Sequence, residues 1–445
     1  MPSLSLNLFI YPDGHHEAAW RYPEAEIDHL SDLSFYQALA QRAEAEKMDA
    51  VFFADAPVLV DTIEYAPRHR LEPITLLAAL AAVTSRIGLI ATASTTYLEP
   101  YNLARSFASV DHLSRGRVGW NIVTTANGAA ALNFGLPEHP PQAERYARAE
   151  EFMQVVTALW DSWEDDAIIG DRASGRFADP AKIHRVDHEG RFYKVRGPLN
   201  TPRSPQGRPV YVQAGASDDG RDFAARWAEA IFTAHQTLDS AQAFYRDIKA
   251  RAARAGRRPE LLRVLPGLCA FIGGTEAEAR ALQHRFDHQI QPTYALGYLK
   301  AILGVDLSGH DLDGPVPVHL FPAEETNSFA SRSRLVRDIV ARENPSLRQL
   351  MHRLAGARGH FVMAGTPEQV ADHIETWARE GAADGFNIMP PWFPGGFERF
   401  ADGVLPILRR RGLFREAYAG TTLRDHYGLP RPDSAFAPKR ERLAS

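Results

Sequence analysis

The sequence predicts an α/β fold, a closed (β/α)8 TIM barrel. Apolar runs of strand length alternate with segments of helical period, and the runs end in small or polar residues. Strands are expected at residues 4–10, 49–54, 87–93, 118–124, 209–213, 229–233, 264–271 and 384–389. Helices follow at 34–47, opened by Ser34 as N-cap, then at 73–83, 101–113, a long amphipathic 144–163, 217–228, 241–255 and 366–380. An open, doubly wound sheet is the alternative. It would usually carry a glycine fingerprint after its first strand, and Tyr11-Pro12-Asp13-Gly14 is not one.

Two segments exceed the bare repeat. Residues 165–201, rich in Gly, Pro and charge, form an excursion before strand five, and 287–360 separate strands seven and eight. The second contains Pro292, Pro315, Pro317 and Pro322 and a helical stretch near 331–353. Its length suits a lid, with Phe321, Phe329 and Phe361 as candidate apolar cover. Its Arg and His residues suit an anionic substrate or simply a solvated surface. One barrel domain is expected over 1–420, followed by a polar, Pro-rich tail over 421–445 that wraps the surface or a partner subunit.

Composition bounds the function. The chain has 445 residues, is 45% hydrophobic and 24% charged, and carries a formal net charge of -5, so nothing points to nucleic acid. The one cysteine, Cys269, lies among Leu268, Ala270 and Phe271 and reads as a buried core thiol. No signal peptide and no membrane span is evident, so a cytoplasmic location is expected. His184 and His188 are four apart but sit in a strand-like excursion, and no metal site is expected.

The strand over 118–124 is the most informative. Val118, Trp120 and Ile122 are bulky on one parity, while Gly119 and Asn121 are small or polar on the other. If the bulky set faces the outer helices, Gly119 leaves space in the lumen and Asn121 offers an amide, as in the wall of a pocket for a flat polar ring. An ordinary barrel strand with a satisfied Asn121 fits the pattern equally. Barrel active sites lie at the C-terminal strand ends, and here short hydroxyls and amides gather without an obvious acid/base pair. That suits gripping a polar cofactor better than hydrolysis. Ser217 precedes a helix and reads as an N-cap or as part of a phosphate site. Asp218 and Asp219 speak against phosphate, and Arg221 could offset them.

An ordered series of short motifs covers nearly the whole chain. It includes Phe52-Phe53-Ala54-Asp55, Thr92 through Tyr97, Asp111-His112-Leu113-Ser114, Asn133-Phe134-Gly135, Arg145-Tyr146, Arg196-Gly197-Pro198-Leu199 and Gly365-Thr366-Pro367-Glu368. With these the chain resembles the flavin-dependent monooxygenases of the bacterial luciferase-like superfamily, in the branch of nitrilotriacetate and dibenzothiophene sulfone monooxygenases. The resemblance implies reduced FMN (FMNH2) supplied by a separate NAD(P)H-dependent flavin reductase, with O2 as co-substrate. One oxygen atom enters a small organic substrate through a flavin peroxide.

The resemblance places FMN contacts at Asp55, Thr92, Tyr146 and Ser217, with Asn121 beside the ring and Trp120 next to it on the strand. The family histidine four residues before the tyrosine is Gln142 here, which can donate a hydrogen bond but cannot titrate. His139 is a nearby substitute. No catalytic acid or base is assigned. A homodimer or homotetramer is a family expectation. The competing readings are a deazaflavin-dependent hydride-transfer enzyme on the same barrel and a non-catalytic flavin-binding relative.

Overall fold

The computed structural model describes residues 3–215, 217–322 and 330–436. Eight parallel strands close a ring: β1 (Ser5–Ile10), β2 (Ala50–Phe53), β3 (Gly88–Ser94), β4 (Val118–Val123), β5 (Val210–Gln213), β6 (Ala230–Thr233), β7 (Arg263–Ile272) and, after β8 (Phe361–Gly365), β9 (Gly385–Ile388). Neighbours pair in chain order from β1 to β7, then β7 pairs with β9, and β9 with β1. The expected barrel is the one observed, with each strand placed within a residue or two of its sequence assignment.

β8 has no counterpart in the sequence reading. β7 is ten residues long, and its upper half, Leu268–Ile272, outruns the ring and pairs with Phe361–Gly365. A five-residue apolar run beside a helix start cannot be told from helix by periodicity alone.

The outer helices are α1 (Leu33–Ala45), α2 (Pro73–Ala81), α3 (Pro100–Leu113), α4 (Gln142–Trp160), α5 (Asp218–Trp227), α6 (Leu238–Arg254) and α7 (Glu276–Asp287). The insertion then adds α8 (Pro292–Leu303), α9 (Ala330–Glu343) and α10 (Leu347–Ala355), and α11 (Pro367–Arg379) completes the layer. Ser34 does not cap α1. The N-cap is Asp32, and Ser34 lies inside the first turn. The excursion over 165–201 holds two small hairpins, Ile168–Asp171 with Arg176–Ala178 and His188–Glu189 with Lys194–Val195. Among the described residues no helix is long and apolar enough to cross a membrane.

Strand alternation separates two cores. Leu6, Leu8, Val51, Phe53, Leu89, Val118, Trp120 and Ile122 face the helices. Phe9, Phe52, Ile90, Val210, Val212, Phe232 and Leu265 fill the lumen with Cys269. Trp120 is fully buried outside the ring, against Phe107, Phe152, Trp160 and Tyr211, with its indole N–H on the Ala93 carbonyl at 3.1 Å. The parity expected for β4 therefore holds.

The space beside Gly119 serves another purpose than the one expected. A Cβ there would lie 2.9 Å from Ile90 Cγ1 and 3.1 Å from Leu423 Cδ2, and one on Gly88 would lie 2.5 Å from Leu423 Cδ1. Leu423 belongs to the tail. Instead of running over the surface, the chain turns in at Thr422, and the short helix Leu423–Tyr427 plugs the N-terminal mouth of the barrel. The Tyr427 hydroxyl donates to Asn7 Oδ1 at 2.9 Å, inside the ring. Gly119 is thus a packing position for the plug, and only Asn121, one layer higher, faces the open end.

Arg424 bolts the plug in place. It is 2% exposed, pairs with Glu229 at 2.6 Å, and donates to the Gln206 carbonyl at 3.1 Å. Removing one partner of a buried pair leaves the other charge uncompensated. We expect Arg424→Leu to destabilise the barrel by about 3–5 kcal/mol. Calorimetric unfolding should show the loss, and Arg424→Leu combined with Glu229→Gln should recover part of it.

Candidate functional site

A cavity of about 460 Å³ opens at the C-terminal ends of the strands, within the usual size range of small-molecule sites. Asp55, Thr92, Asn121, Gln142, Tyr146 and Ser217 all line it. They come from the loop after β2, from β3 and β4, from the first turns of α4, and from the start of α5.

The wall is built by register. Thr92 and Asn121 are paired positions on β3 and β4, so both face the lumen. Asn121 Nδ2 donates to the Thr92 hydroxyl at 2.8 Å, and that hydroxyl donates to the Phe53 carbonyl at 2.8 Å. This line of bonds fixes the amide orientation. It leaves Asn121 Oδ1 buried with no partner, a bare acceptor at the pocket wall.

At the end of β4 the chain turns sharply through Thr125, whose φ of +52° is uncommon for a β-branched residue. The turn aims the Thr125 carbonyl at Arg145 Nη1, 2.7 Å away, and the Thr125 hydroxyl donates to Ser94 at 2.7 Å. Asp55 is half-buried and caps no helix, its Oδ1 accepting from the Ala56 N–H at 2.8 Å. Burial pushes its carboxyl above the ordinary range, while Arg70 pulls it back.

Across the pocket, Ser217 caps α5, accepting from the Gly220 N–H at 3.2 Å. A Cβ on Gly220 would lie 2.8 Å from the Tyr146 hydroxyl and 3.0 Å from Gly215 Cα. Glycine is therefore required for the phenol and the strand–helix turn to meet. Burial pushes the Tyr146 phenol up, against the pull of the Ser217 hydroxyl and Arg145.

The two acidic residues that open α5 are diverted. Asp218 pairs with Arg251 at 3.0 Å, and Asp219 Oδ2 accepts from Gln142 Nε2 at 3.1 Å. Gln142 Nε2 also reaches the Ser217 hydroxyl at 3.4 Å. Arg221, expected to offset the acids, instead pairs with Asp247 at 3.0 Å on the far side of the helix. His139 does not substitute at the Gln142 position, because its Nδ1 meets the Tyr97 hydroxyl at 2.9 Å.

The sequence reading missed the floor and one end of the pocket. Phe9, Phe52 and Phe232 meet edge to face in the lumen with centroids 4.6–5.7 Å apart, and His360 stacks on Phe232 at 4.6 Å. Burial holds the His360 imidazole well below its ordinary range, so it is neutral. Strand parity could have found the three phenylalanines.

The insertion covers the site with cations, Arg332 and Arg358, where phenylalanines were expected. Phe321 packs against Arg337, and Phe361 stacks on His373 at 4.3 Å, outside the ring. Phe329 lies outside the described residues. Burial pushes the Cys269 thiol up, as befits an inert core residue. His184 and His188 bond separate carboxylates, Glu164 and Glu151, and no cluster that could hold a metal exists among the described residues.

Relatives share this architecture along its length. Residues 10–384 match the luciferase-like monooxygenase family. N-acetyl-S-(2-succino)cysteine monooxygenase of Bacillus subtilis (strain 168) is 48% identical over 435 residues, covering 98% of each chain. Nitrilotriacetate monooxygenase component A of Aminobacter aminovorans is 46% identical over 447 residues, again covering 98% of each. The crystal structure of DmoA from Hyphomicrobium sulfonivorans superposes with a TM-score of 0.86 at 32% identity, over 96% of this chain and 92% of that one. With its closed barrel and polar strand-end pocket, this chain belongs to the luciferase-like monooxygenase family.

Proposed function

We propose that the chain is the oxygenase component of a two-component system. It receives reduced FMN from a separate NAD(P)H-dependent flavin reductase and uses O2 to place one oxygen atom in a small organic substrate. The observation that carries this reading is the convergence of Asp55, Thr92, Asn121, Gln142, Tyr146 and Ser217 on one cavity.

The residues present fit the cofactor. The unpartnered Asn121 Oδ1 suits a ring N–H of the isoalloxazine. Ser217, Tyr146 and the backbone N–H groups that open α5 suit the phosphate, and the dipole of α5 favours an anion there. Arg251 pairs with Asp218 there, while Gln142 hydrogen-bonds Asp219 without cancelling its charge. When bound, reduced FMN supplies the two electrons that convert O2 into one inserted oxygen atom and one water.

The chain's own contribution is enclosure and orientation. Asn121 is locked by Thr92 and so presents one fixed acceptor. Phe9, Phe52 and Phe232 close the floor against water, which protects reactive species from hydrolysis and leakage. Gln142 donates a hydrogen bond without titrating, so this position adds no charge change near neutrality.

Two measurements check this reading. Gly220→Ala should displace the Tyr146 hydroxyl and weaken FMN binding about tenfold in a flavin-fluorescence titration, with the circular dichroism spectrum unchanged. Rapid mixing of the reduced-FMN-loaded protein with air-saturated buffer should show flavin reoxidation about tenfold slower than in free solution. Reoxidation at the rate of free flavin would remove the oxygenase reading.

A further inference from the structure

The pocket has a second end, on the far side of the ring from the α5 turn. β1 and β5 are four strands apart in a ring of eight, so the segments that follow them face each other across the opening. Ser217 follows β5, and Tyr11 follows β1. Around the Tyr11 phenol gather three guanidiniums. Arg68 Nη1 and Arg70 Nη2 donate to its oxygen at 3.1 and 3.0 Å, and Arg358 lies over its ring, 4.3 Å from the centroid.

Arg68 is balanced by Glu17 at 2.6 Å, and Tyr294 also donates to Glu17. Arg70, Arg358 and Arg332 are not balanced. All three line the pocket, and among the described residues none has a carboxylate within ion-pair distance. None of their partners is a carboxylate: for Arg70 it is the Tyr11 phenol, which burial raises but Arg70, Arg358 and Arg68 together draw below its ordinary range, for Arg358 it is His15 at 2.8 Å, and for Arg332 the Tyr298 hydroxyl at 2.8 Å. Arg70 Nε is buried with no partner at all.

Arg358 is held with particular care. His15 Nε2 meets the Phe9 carbonyl at 2.8 Å, which can only accept, so Nδ1 carries the lone pair that receives Arg358. The backbone of Arg358 is left-handed, with φ +53°, and Gln236 Nε2 pins the next two carbonyls, Gly359 and His360, at 2.7 and 3.0 Å. Sparsely populated backbone persists where the surroundings over-determine it, and such residues cluster at ligand clamps.

The acids facing this end do not cancel the cations. Glu17 is committed to Arg68. Burial pushes the Asp13 carboxyl up to about 7, even against Arg68 and Arg358. Asp55 lies on the flavin side, where it feels the charge of Arg70 but is not within ion-pair distance of it.

Part-buried cations that line one pocket and lack a carboxylate partner favour an anion between them. Guanidiniums match oxyanions through paired N–H donors. We propose that this end of the pocket binds a substrate carrying at least two oxyanion groups, carboxylates or sulfonates, held between Arg358 and Arg70 with Arg332 as the third cation. The proposal rests on the monooxygenase reading for what happens to that substrate, but the anion site stands on the arginines themselves.

The test is calorimetric titration of the full chain, flavin-free and FMN-loaded. The probes are tricarballylate, 1,3-propanedisulfonate and the neutral triamide of tricarballylate. At least one of the two anions should bind about tenfold or more tightly than the triamide, and its affinity should fall with added salt. Whichever anion binds identifies the oxyanion preferred.

Arg70→Gln and Arg358→Gln should each weaken anion binding about tenfold while FMN affinity stays within about twofold, and Arg358→Lys should recover part of the loss. Should Arg358→Gln fail to fold, Arg70→Gln carries the test. The proposal is overturned if the triamide binds as well as the anions, if neither anion binds, or if the substitutions weaken FMN as much as the anion. A wild-type chain that binds the anion but no FMN would sink the flavin reading and leave the anion site standing.

Discussion

The period-two alternation of β4 is the constraint on which the site depends. Because Trp120 is locked outside the ring against three helix-side aromatics and Tyr211, Asn121 has no choice but the lumen. A slip of one residue would send the indole into the pocket and the amide into the hydrophobic layer. The hydrogen-bond line from Asn121 through Thr92 to Phe53 then ties three strands together and leaves a single bare acceptor at the wall. The outer core thus fixes where that acceptor points.

The lumen is divided by height. At the N-terminal mouth, Gly88 and Gly119 make room for Leu423, and Tyr427 reaches Asn7, so that end is sealed by the chain's own tail. Above it lies the row of Phe9, Phe52, Ile90, Gly119 and Val210, paired in register across β1 to β5, with Leu423 reaching up to Gly119. Only the third layer, with Thr92 and Asn121, is open. The insertion roofs that opening with its own small core of Leu299, Ile302, Val336, Ile339 and Leu350, and sends Arg332, Arg358 and His360 inward.

Much of this was readable from residues alone, because strand alternation and strand-end polarity are local signals. They gave the ring, the facing of Trp120 and Asn121, and the cap at Ser217. The resemblance added Asp55, Thr92, Gln142 and Tyr146, and the fold brings these to one cavity. What could not be read is long-range. Gly119 signals free space, but nothing near it says that a leucine some three hundred positions later fills that space. Tyr11, Arg70 and Arg358 likewise meet only through the fold. The tail misled through its proline content, and the phenylalanines of the insertion misled because apolar residues near a site suggest cover when they pack elsewhere.

The central claim is that one end of the pocket holds a flavin ring and the turn into α5 holds its phosphate. Anaerobic equilibrium titration of the chain with reduced FMN, beside reduced riboflavin, tests it most directly. The account predicts one saturable site per chain, with riboflavin bound about tenfold more weakly for want of the phosphate. Absence of saturable binding, or equal affinity for the two, would contradict it.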